Sequence, residues 1–502
     1  MTDIDPAAAA GTERFTSEPD VEGAAHVEMH GFDYIREEGR YLQPRQLFSF
    51  WWGCNISIIY MLVGAIVISL GVAFWQAILI IAGATCGFIL IGVAGIGGPR
   101  SGVPTMTFTR ASFGVQGNRI NSLIAYGVQI GSEVLNALLV VLALTAIASE
   151  LGWHHPGKAG LALFVLIAMI LPAIVAVIGH RLLFLAQKWI TWTLSFVLLL
   201  VAIFTIPKFH WGFHATATGH LALFAAIMVA IAQVFANPLS YANVSADYSR
   251  YLPSRTSGRA ITWWTFAGVG GIAFLLQFLG AGIATTASGI ETDPVSGFRH
   301  LLPSWLYVLF IINAAFGAMA NNAITFYGSG LTMQSLGVPL LRWRATLVDC
   351  VISTGLVLYI ELFNQSLQTI FSDYLAFINV WAGPFLAILL IDGLARRWRY
   401  DAAGLHKISV LSPYWGTGGF NLRGFTALIL GAAVGMLTVN APIYVGPLAK
   451  AIGGADLAWL APMVIGGVVY AVLAVPSIRA GRHSQVTRSD PAAQAGPAPA
   501  SQ

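Results

Sequence analysis

Apolar residues fill this chain in long blocks that carry almost no charge. Between Arg45 and Arg100 there is no charged residue at all. A bilayer crossing takes about 20 apolar residues, so this block is long enough for two helices, with Gly71 marking the bend. Further charge-free blocks follow at 134–149, 159–180, 189–207, 209–246, 260–290, 300–341, 374–391, 424–449 and 457–478. A weaker block at 345–360 contains Asp349, and extending the one at 134–149 back to Asn121 takes in Glu133. The pattern predicts twelve transmembrane spans, numbered here 1 to 12: 47–71, 73–97, 120–148, 160–179, 184–206, 220–246, 261–287, 304–335, 344–361, 370–394, 424–446 and 457–478. An even count puts both termini on one side of the membrane.

The basic residues test that count. Of the 26 lysines and arginines, twenty-two fall in the two tails and the even-numbered loops. Only Lys158, Lys208, Arg299 and Lys450 fall in the odd loops. Lys and Arg concentrate in cytoplasmic loops, so the split predicts a multi-pass protein of the cytoplasmic (plasma) membrane with both ends inside. One missed span would scramble every later loop.

Composition agrees. The chain is 57% hydrophobic and 10% charged, against about 25% charged for a soluble domain, and its mean hydropathy is +0.73. The net charge of +4 is spread between apolar blocks, so it implies no nucleic-acid surface. Cys54, Cys86 and Cys350 all lie in apolar blocks and read as buried free thiols, with no disulfide framework and no metal spacing. His154, His155, His210 and His214 fall in odd loops and read as solvated. Residues 1–45 read as a cytoplasmic tail without a cleavable signal, and 479–502 as a disordered cytoplasmic tail.

Polar side chains inside these spans are costly and call for a reason. Span 1 carries Trp51, Trp52, Gly53, Cys54, Asn55, Ile56 and Ser57, where a Gly and an Asn loosen the helix. Span 6 carries Gln233, Phe235, Asn237, Pro238, Ser240 and Tyr241, and Pro238 removes a backbone donor. Freed carbonyls there need partners, which water, an ion or a substrate can supply. The two stretches lie five spans apart, as expected if spans 1–5 (46–207) and 6–10 (208–397) are inverted repeats that each begin with a broken helix, with spans 11–12 (398–478) added. Substrate sites in such transporters lie between the breaks. The bland alternative for each is a simple kink.

Span 3 carries Gln129, Ser132 and Asn136 on one face, with Glu133 a step round as a candidate proton carrier; its alternative role is a structural hydrogen bond. Span 8 carries Asn313, Asn321, Asn322 and Thr325. A carboxamide offers a donor beside an acceptor, the complement of a nucleobase edge; its alternative role is to glue helices together. Candidate substrate-binding residues are therefore Trp52, Asn55, Ser132, Asn136, Phe235, Asn237, Asn321 and Asn322. Asp349 and Asp373 are placed to pair with nearby bases, and Asp392, Arg396 and Arg397 to face the cytoplasmic interface.

Four stretches resemble the nucleobase–cation symporters of the purine–cytosine permease type, over nearly all of 35–478. Gly98-Pro99-Arg100-Ser101-Gly102-Val103-Pro104 leads to Arg110-Ala111-Ser112-Phe113-Gly114 after span 2. Ala246-Asp247-Tyr248-Ser249-Arg250-Tyr251-Leu252-Pro253 ends span 6. Pro384 to Leu389 runs on to Asp392 in span 10, and Gly418-Gly419-Phe420-Asn421-Leu422-Arg423 precedes span 11. The resemblance implies an all-α leucine-transporter-type core of five plus five spans with two added. It also implies a site among spans 1, 3, 6 and 8.

In that family a span 3 aromatic stacks on the substrate ring and a carboxamide one turn later binds it. Asn136 stands at the carboxamide position, whereas Ser132 replaces the usual Trp, leaving Tyr126, Trp52 or Phe235 to supply the ring. Sodium-coupled members place span 8 hydroxyls against span 1 carbonyls; Ala320 and Asn321 stand there in this chain. The Asn-Asn pattern is similar to that of fungal permeases that couple to protons.

The expected function is import of a nucleobase, cytosine or a purine, by symport with H+ or Na+, the proton favoured, and with no other cofactor. Allantoin, a hydantoin, uracil, a nucleoside or a vitamin stay open as solutes, and a channel as another class, since broken helices also line pores. A membrane enzyme is disfavoured: Gly328-Ser329-Gly330 has no activating His, and no H-E-x-x-H pair occurs. The expected partners are the solute and the bilayer.

Overall fold

The structure, a computed structural model, describes residues 31, 33–286, 289–290, 293–363 and 367–489. Most of both expected tails, 1–30 and 490–502, lies outside the described residues. Ten helices are long and apolar enough to cross a membrane, and two shorter ones, bent by 64°, together form another span. With the shorter apolar helix Leu422–Thr438, the described residues form twelve spans. Span 1 is Gln46–Cys54 plus Ile58–Ser69. Spans 2 to 6 are Phe74–Ser101, Val115–Glu150, Gly157–Ile178, His180–Lys208 and His220–Val244. Spans 7 to 10 are Gly258–Ala284, Ser304–Ser335, Arg342–Phe363 and Leu367–Arg396. Span 11 is Leu422–Thr438, and the span 12 helix runs from Ala461 to Ser489, beyond the boundary expected at 478.

Packing follows the five-span exchange that an inverted repeat demands. Span 1 packs on span 5 as span 6 packs on span 10, and span 1 on span 7 as span 6 on span 2. Spans 3 and 8 pair, and so do spans 4 and 9; each such pair maps onto itself under the exchange. Spans 11 and 12 pack on each other and on span 10. Apolar side chains cover the outside: Trp189, Trp192, Phe196, Leu199 and Ile203 form an exposed stripe at three- to four-residue spacing along span 5, the mark of a lipid-facing helix side. Cys86, expected buried, is exposed on span 2, whereas Cys54 and Cys350 are buried.

Small residues bring the broken span close to its neighbours, as is usual between membrane helices. A Cβ on Gly64 would lie 2.0 Å from the Gln277 carbonyl oxygen, and one on Gly280 2.0 Å from that of Met61. A Cβ on Gly317 would lie 1.9 Å from the Ile56 oxygen, so span 8 presses its backbone against the break in span 1.

The four motif stretches meet at one end of the bundle. Thr105 donates to Asp247 Oδ1 through both its backbone N–H and its hydroxyl, each at 2.8 Å. Ser249 donates to the Gly95 carbonyl at 2.7 Å. The Asn421 N–H meets the Phe113 oxygen at 2.9 Å, and Phe113 stacks on Phe385. Residues after 31 close over the same end: Ile35 N–H bonds Gly102, Leu42 N–H bonds Tyr251, and Arg250 donates to the Gly31 oxygen at 2.9 Å. Asp392, near the end of span 10, is buried; it accepts from Arg396 at 3.0 Å and from Tyr470 at 2.6 Å. The motifs therefore build this end of the molecule, away from the polar residues at mid-span.

Candidate functional site

The break in span 1 is held by its own side chains. The first half ends at Cys54, Asn55 leaves the helical region (φ −109°, ψ 8°), and Ser57 caps the second half through Ile59 N–H. Fully buried Asn55 donates to the Trp51 carbonyl at 2.8 Å. Its Oδ1 accepts from the Tyr60 hydroxyl at 2.7 Å and the Tyr241 hydroxyl at 2.6 Å. One carboxamide thus ties both halves of span 1 to span 6. The regular helix of span 6 stops at Ser240, two residues after Pro238, and continues in short 3-10 turns from Ala242. The predicted break is present in span 1, whereas span 6 passes Pro238 as regular helix and loosens only past Ser240.

A chain of carboxamides crosses from this break to span 3. Asn321 Nδ2 donates to the Cys54 carbonyl at 2.8 Å and lies 3.2 Å from the Tyr241 hydroxyl. Its Oδ1 accepts from Asn136 Nδ2 at 2.9 Å. Asn136 Nδ2 also donates to the Ser132 carbonyl at 2.9 Å. Backbone carbonyls only accept, so both ends of the chain fix the amide orientations. What remains is Asn136 Oδ1, buried and with no donor among the described residues. Gln233 Oε1 on span 6 is in the same condition.

The other expected residues divide. Trp52 turns to span 5, donating to Ser195 Oγ at 2.8 Å, and it is Trp51 that sets its edge on Tyr241 and Tyr248, at 5.3 Å each. Phe235 packs edge-on against Trp459 at 5.6 Å. Asn237 bonds back to its own helix, at Val234 and Gln233. Asn322 faces Met169 of span 4, and Asn313 bonds the Leu194 carbonyl of span 5. Ser132 bonds the Tyr374 hydroxyl of span 10. The adjacent Gly131 makes room for that ring, because a Cβ there would lie 2.6 Å from it. A Tyr374 ring therefore fills the space beside the small Gly131-Ser132 pair. Glu133 accepts from Ser353 of span 9 at 2.5 Å. Asp349, expected beside a base, instead accepts from Ser329.

Gln187 of span 5 was not singled out from the sequence. Its Nε2 donates to the Ala320 carbonyl at 3.0 Å, and a Cβ on Gly53 would crowd both its backbone and its amide. It fills the slot between spans 1, 5 and 8. Its signal was an uncharged polar residue in an apolar span; Tyr241 had one in closing the Pro238 stretch. Tyr374 had none, since only packing brings span 10 to span 3. Among the described residues no cluster of His, Cys, Asp or Glu could hold a metal ion.

Two interrupted spans joined through buried carboxamides, within a five-plus-five exchange of packing partners, define a membrane transporter of the leucine-transporter fold. Residues 34–461 match the family described as permease for cytosine/purines, uracil, thiamine, allantoin, and the chain belongs to that family of permeases, which are not enzymes and carry small nucleobase-like solutes across the bilayer. Its relatives include the putative purine–cytosine permease YxlA of Bacillus subtilis, 28% identical and covering 90% of this chain and 97% of that one. The purine–cytosine permease FCY22 of Saccharomyces cerevisiae is 24% identical over 82% of this chain and 78% of its own length. The fold matches that of Mhp1, a nucleobase–cation-symport-1 family transporter solved in a closed conformation with bromovinylhydantoin bound. The TM-score is 0.71 at 16% identity, covering 94% of this chain and 97% of that one.

Proposed function

We propose that this chain imports a nucleobase, cytosine or a purine, by proton symport across the cytoplasmic membrane, with both termini inside. The observation that carries this reading is the unpaired Asn136 Oδ1 at the end of the Cys54–Asn321–Asn136 chain. A buried acceptor without a donor costs about 1–3 kcal/mol. The ring N–H or amino group of a base supplies that donor. Tyr374, and Trp51 with Tyr241, are the rings placed to cover a planar solute, in place of the three expected from the sequence. Asn55 and Asn237 support the break and the helix instead of reading the base, whereas Asn322 Oδ1, buried and without a donor among the described residues, stays a candidate beside Asn136.

The proton is favoured over sodium because the Ala320 carbonyl is already taken by the Gln187 amide, and the span 8 hydroxyl of Thr325 bonds its own helix at Asn321. The lysine and arginine split supports the cytoplasmic termini. One charge moving down the membrane potential gains about 2.3 kcal/mol per 100 mV. At about 1.4 kcal/mol per factor of ten, that sustains roughly fifty-fold accumulation, enough to scavenge a dilute base.

The test is uptake of labelled cytosine, adenine and hypoxanthine into proteoliposomes under an imposed pH gradient. Saturable accumulation that follows the pH gradient is expected. Dependence on sodium alone would transfer the reading to a Na+-coupled carrier, and flux that never saturates would make the protein a channel.

A further inference from the structure

Span 3 and span 9 each bury one acid at the same place. Glu133 and Asp349 are both fully buried, and Ser353, whose hydroxyl bonds Glu133, lies one helical turn after Asp349 on span 9, so the two acids sit within a turn of each other. Each has one oxygen capped by a serine: Ser353 donates to Glu133 Oε2 at 2.5 Å, and Ser329 donates to Asp349 Oδ2. Glu133 Oε1 and Asp349 Oδ1 have no donor among the described residues. Two buried carboxyls, each with one acceptor oxygen unmet and no cation bonded to either among the described residues, share a demand for a donor that the lone Tyr126 hydroxyl beside Asp349 cannot meet for both.

We propose that Glu133 and Asp349 hold a single proton between them and that this pair is the proton-binding site of the transporter. The proposal rests on the proton-symport reading above. One proton converts one carboxyl into a donor and satisfies both orphaned oxygens at once, leaving one negative charge spread over a pair whose outer oxygens the serines hold. Two unpaired carboxylates side by side in an apolar bundle would repel and lack their hydration.

Among the described residues no cation is bonded to either acid. On span 3 the Tyr126 hydroxyl stands beside Asp349. On span 9, Cys350 sits beside Asp349 in sequence and bonds toward Met169. Arg342, two turns earlier, sends its guanidinium to the carbonyls of Ala176 and Val177 on span 4 and over the Tyr327 ring of span 8. Span 10 contributes Tyr374, which is bonded to Ser132. Span 4 brings no acid or base to this level; its one charged residue, Lys158, is at its start.

The pair is also wired to the carboxamide chain. Asn136 follows Glu133 by three residues on span 3 and bonds Asn321 of span 8, the helix that supplies Ser329. A rearrangement of span 8 or 9 that parts the pair from its serines therefore also disturbs Asn136. In a cycle, a hydronium ion on the outer side gives up one proton to the pair and leaves a water. The neutral base binds, the protein reorients, and the pair returns the proton to water inside. One positive charge crosses per base.

The experiment compares accumulation with exchange of labelled cytosine in proteoliposomes. With an imposed gradient of one pH unit and no membrane potential, wild type is expected to accumulate about tenfold. Glu133→Gln and Asp349→Asn should each bring that ratio to about one, with exchange against unlabelled cytosine reporting that the variant folds and binds. Asp349→Glu keeps a titrating carboxyl and should regain part of the accumulation. Accumulation by Asp349→Asn equal to wild type would overturn the pair while leaving proton symport intact, and so would an Asp349→Glu as inert as Asp349→Asn. A wild-type protein that exchanges cytosine and ignores the pH gradient would instead sink proton symport itself, and the pair with it.

Discussion

Asn136→Ala removes the one acceptor that the carboxamide chain leaves unspent. If a substrate N–H meets Asn136 Oδ1, the variant buries that N–H without a partner, at a cost of about 1–3 kcal/mol. That corresponds to roughly a 5- to 150-fold rise in the concentration needed for half-maximal uptake. The same substitution orphans Asn321 Oδ1, which loses its donor at 2.9 Å. Thermal stability without substrate should therefore fall as well, by a similar 1–3 kcal/mol. The two effects separate by using a methylated substrate. A base whose edge N–H is replaced by N–CH3 should be a poor competitor for the wild type. Against Asn136→Ala it should lose little beyond the parent base, because the partner is already gone; this is the logic of a double-mutant cycle. Competition against labelled cytosine uptake, with expression and melting temperature followed in parallel, measures all four corners. An Asn136→Ala protein whose half-maximal concentration lies within threefold of wild type, or a methyl penalty identical in both proteins, would refute the contact.

Three further outcomes follow from the geometry. Gly317→Ala would set a Cβ 1.9 Å from the Ile56 carbonyl, a backbone atom that cannot swing aside, so uptake should be lost and stability, read as a lower melting temperature, should fall by at least the roughly 1–3 kcal/mol typical of overpacking; wild-type uptake would show that span 8 does not press on the break. Gln187→Ala frees the Ala320 carbonyl of its donor at 3.0 Å and should cost about 1 kcal/mol of stability, read by thermal unfolding in detergent, where an unchanged melting temperature would argue that the slot holds water or an ion. Asp456, in the loop between spans 11 and 12, is pushed up to about 6 by burial, against the pull of Asn440 and Ala458 N–H groups. Its folded-state value lies above the ordinary 3.8, so its stabilising share is full below about pH 4 and is lost as pH rises through 6, about 3 kcal/mol in all; Asp456→Asn should flatten that part of the melting-temperature profile between about pH 4 and 6, and an unaltered slope would place the pH dependence elsewhere.

The spans were legible because hydrophobic blocks and the asymmetry of basic residues are properties of single segments facing lipid. The break in span 1 was legible for the same kind of reason: Asn55 acts on its own helix. Side-chain partners were harder to read, because they depend on which faces meet. Trp51 and Trp52 are neighbours in sequence, yet one faces span 6 and the other span 5, a difference of one step round the helix. Phe235 and Asn237 lie in the right stretch but turn to Trp459 and to their own backbone. Tyr374 is invisible from span 3, although the Gly131-Ser132 pair that admits it is in plain view. The motif stretches that carried the family resemblance proved to brace one end of the bundle through Thr105, Asp247 and Phe113. They identify the architecture and leave the substrate to be decided elsewhere.

A broken helix is expected to expose carbonyls for a substrate or ion to satisfy, but here the protein satisfies much of that demand itself. The Cys54 carbonyl is capped by Asn321, the Trp51 carbonyl by Asn55, and the two halves of span 1 share Asn55 with Tyr241 of span 6. These bonds hold spans 1, 6, 8 and 3 as one hydrogen-bonded unit. A substrate that simply competed for the break carbonyls would have to replace bonds already made, at little net gain. A substrate that donates to Asn136 Oδ1 adds a bond to a completed chain and leaves every other bond in place. On the proposed reading, affinity comes from the acceptor that this chain leaves over, and the breaks serve to place it. On this argument, substrate discrimination should track the position of an N–H on the solute edge far more closely than ring size, because the edge meets a fixed carboxamide while the ring face meets aromatic side chains on three separate spans.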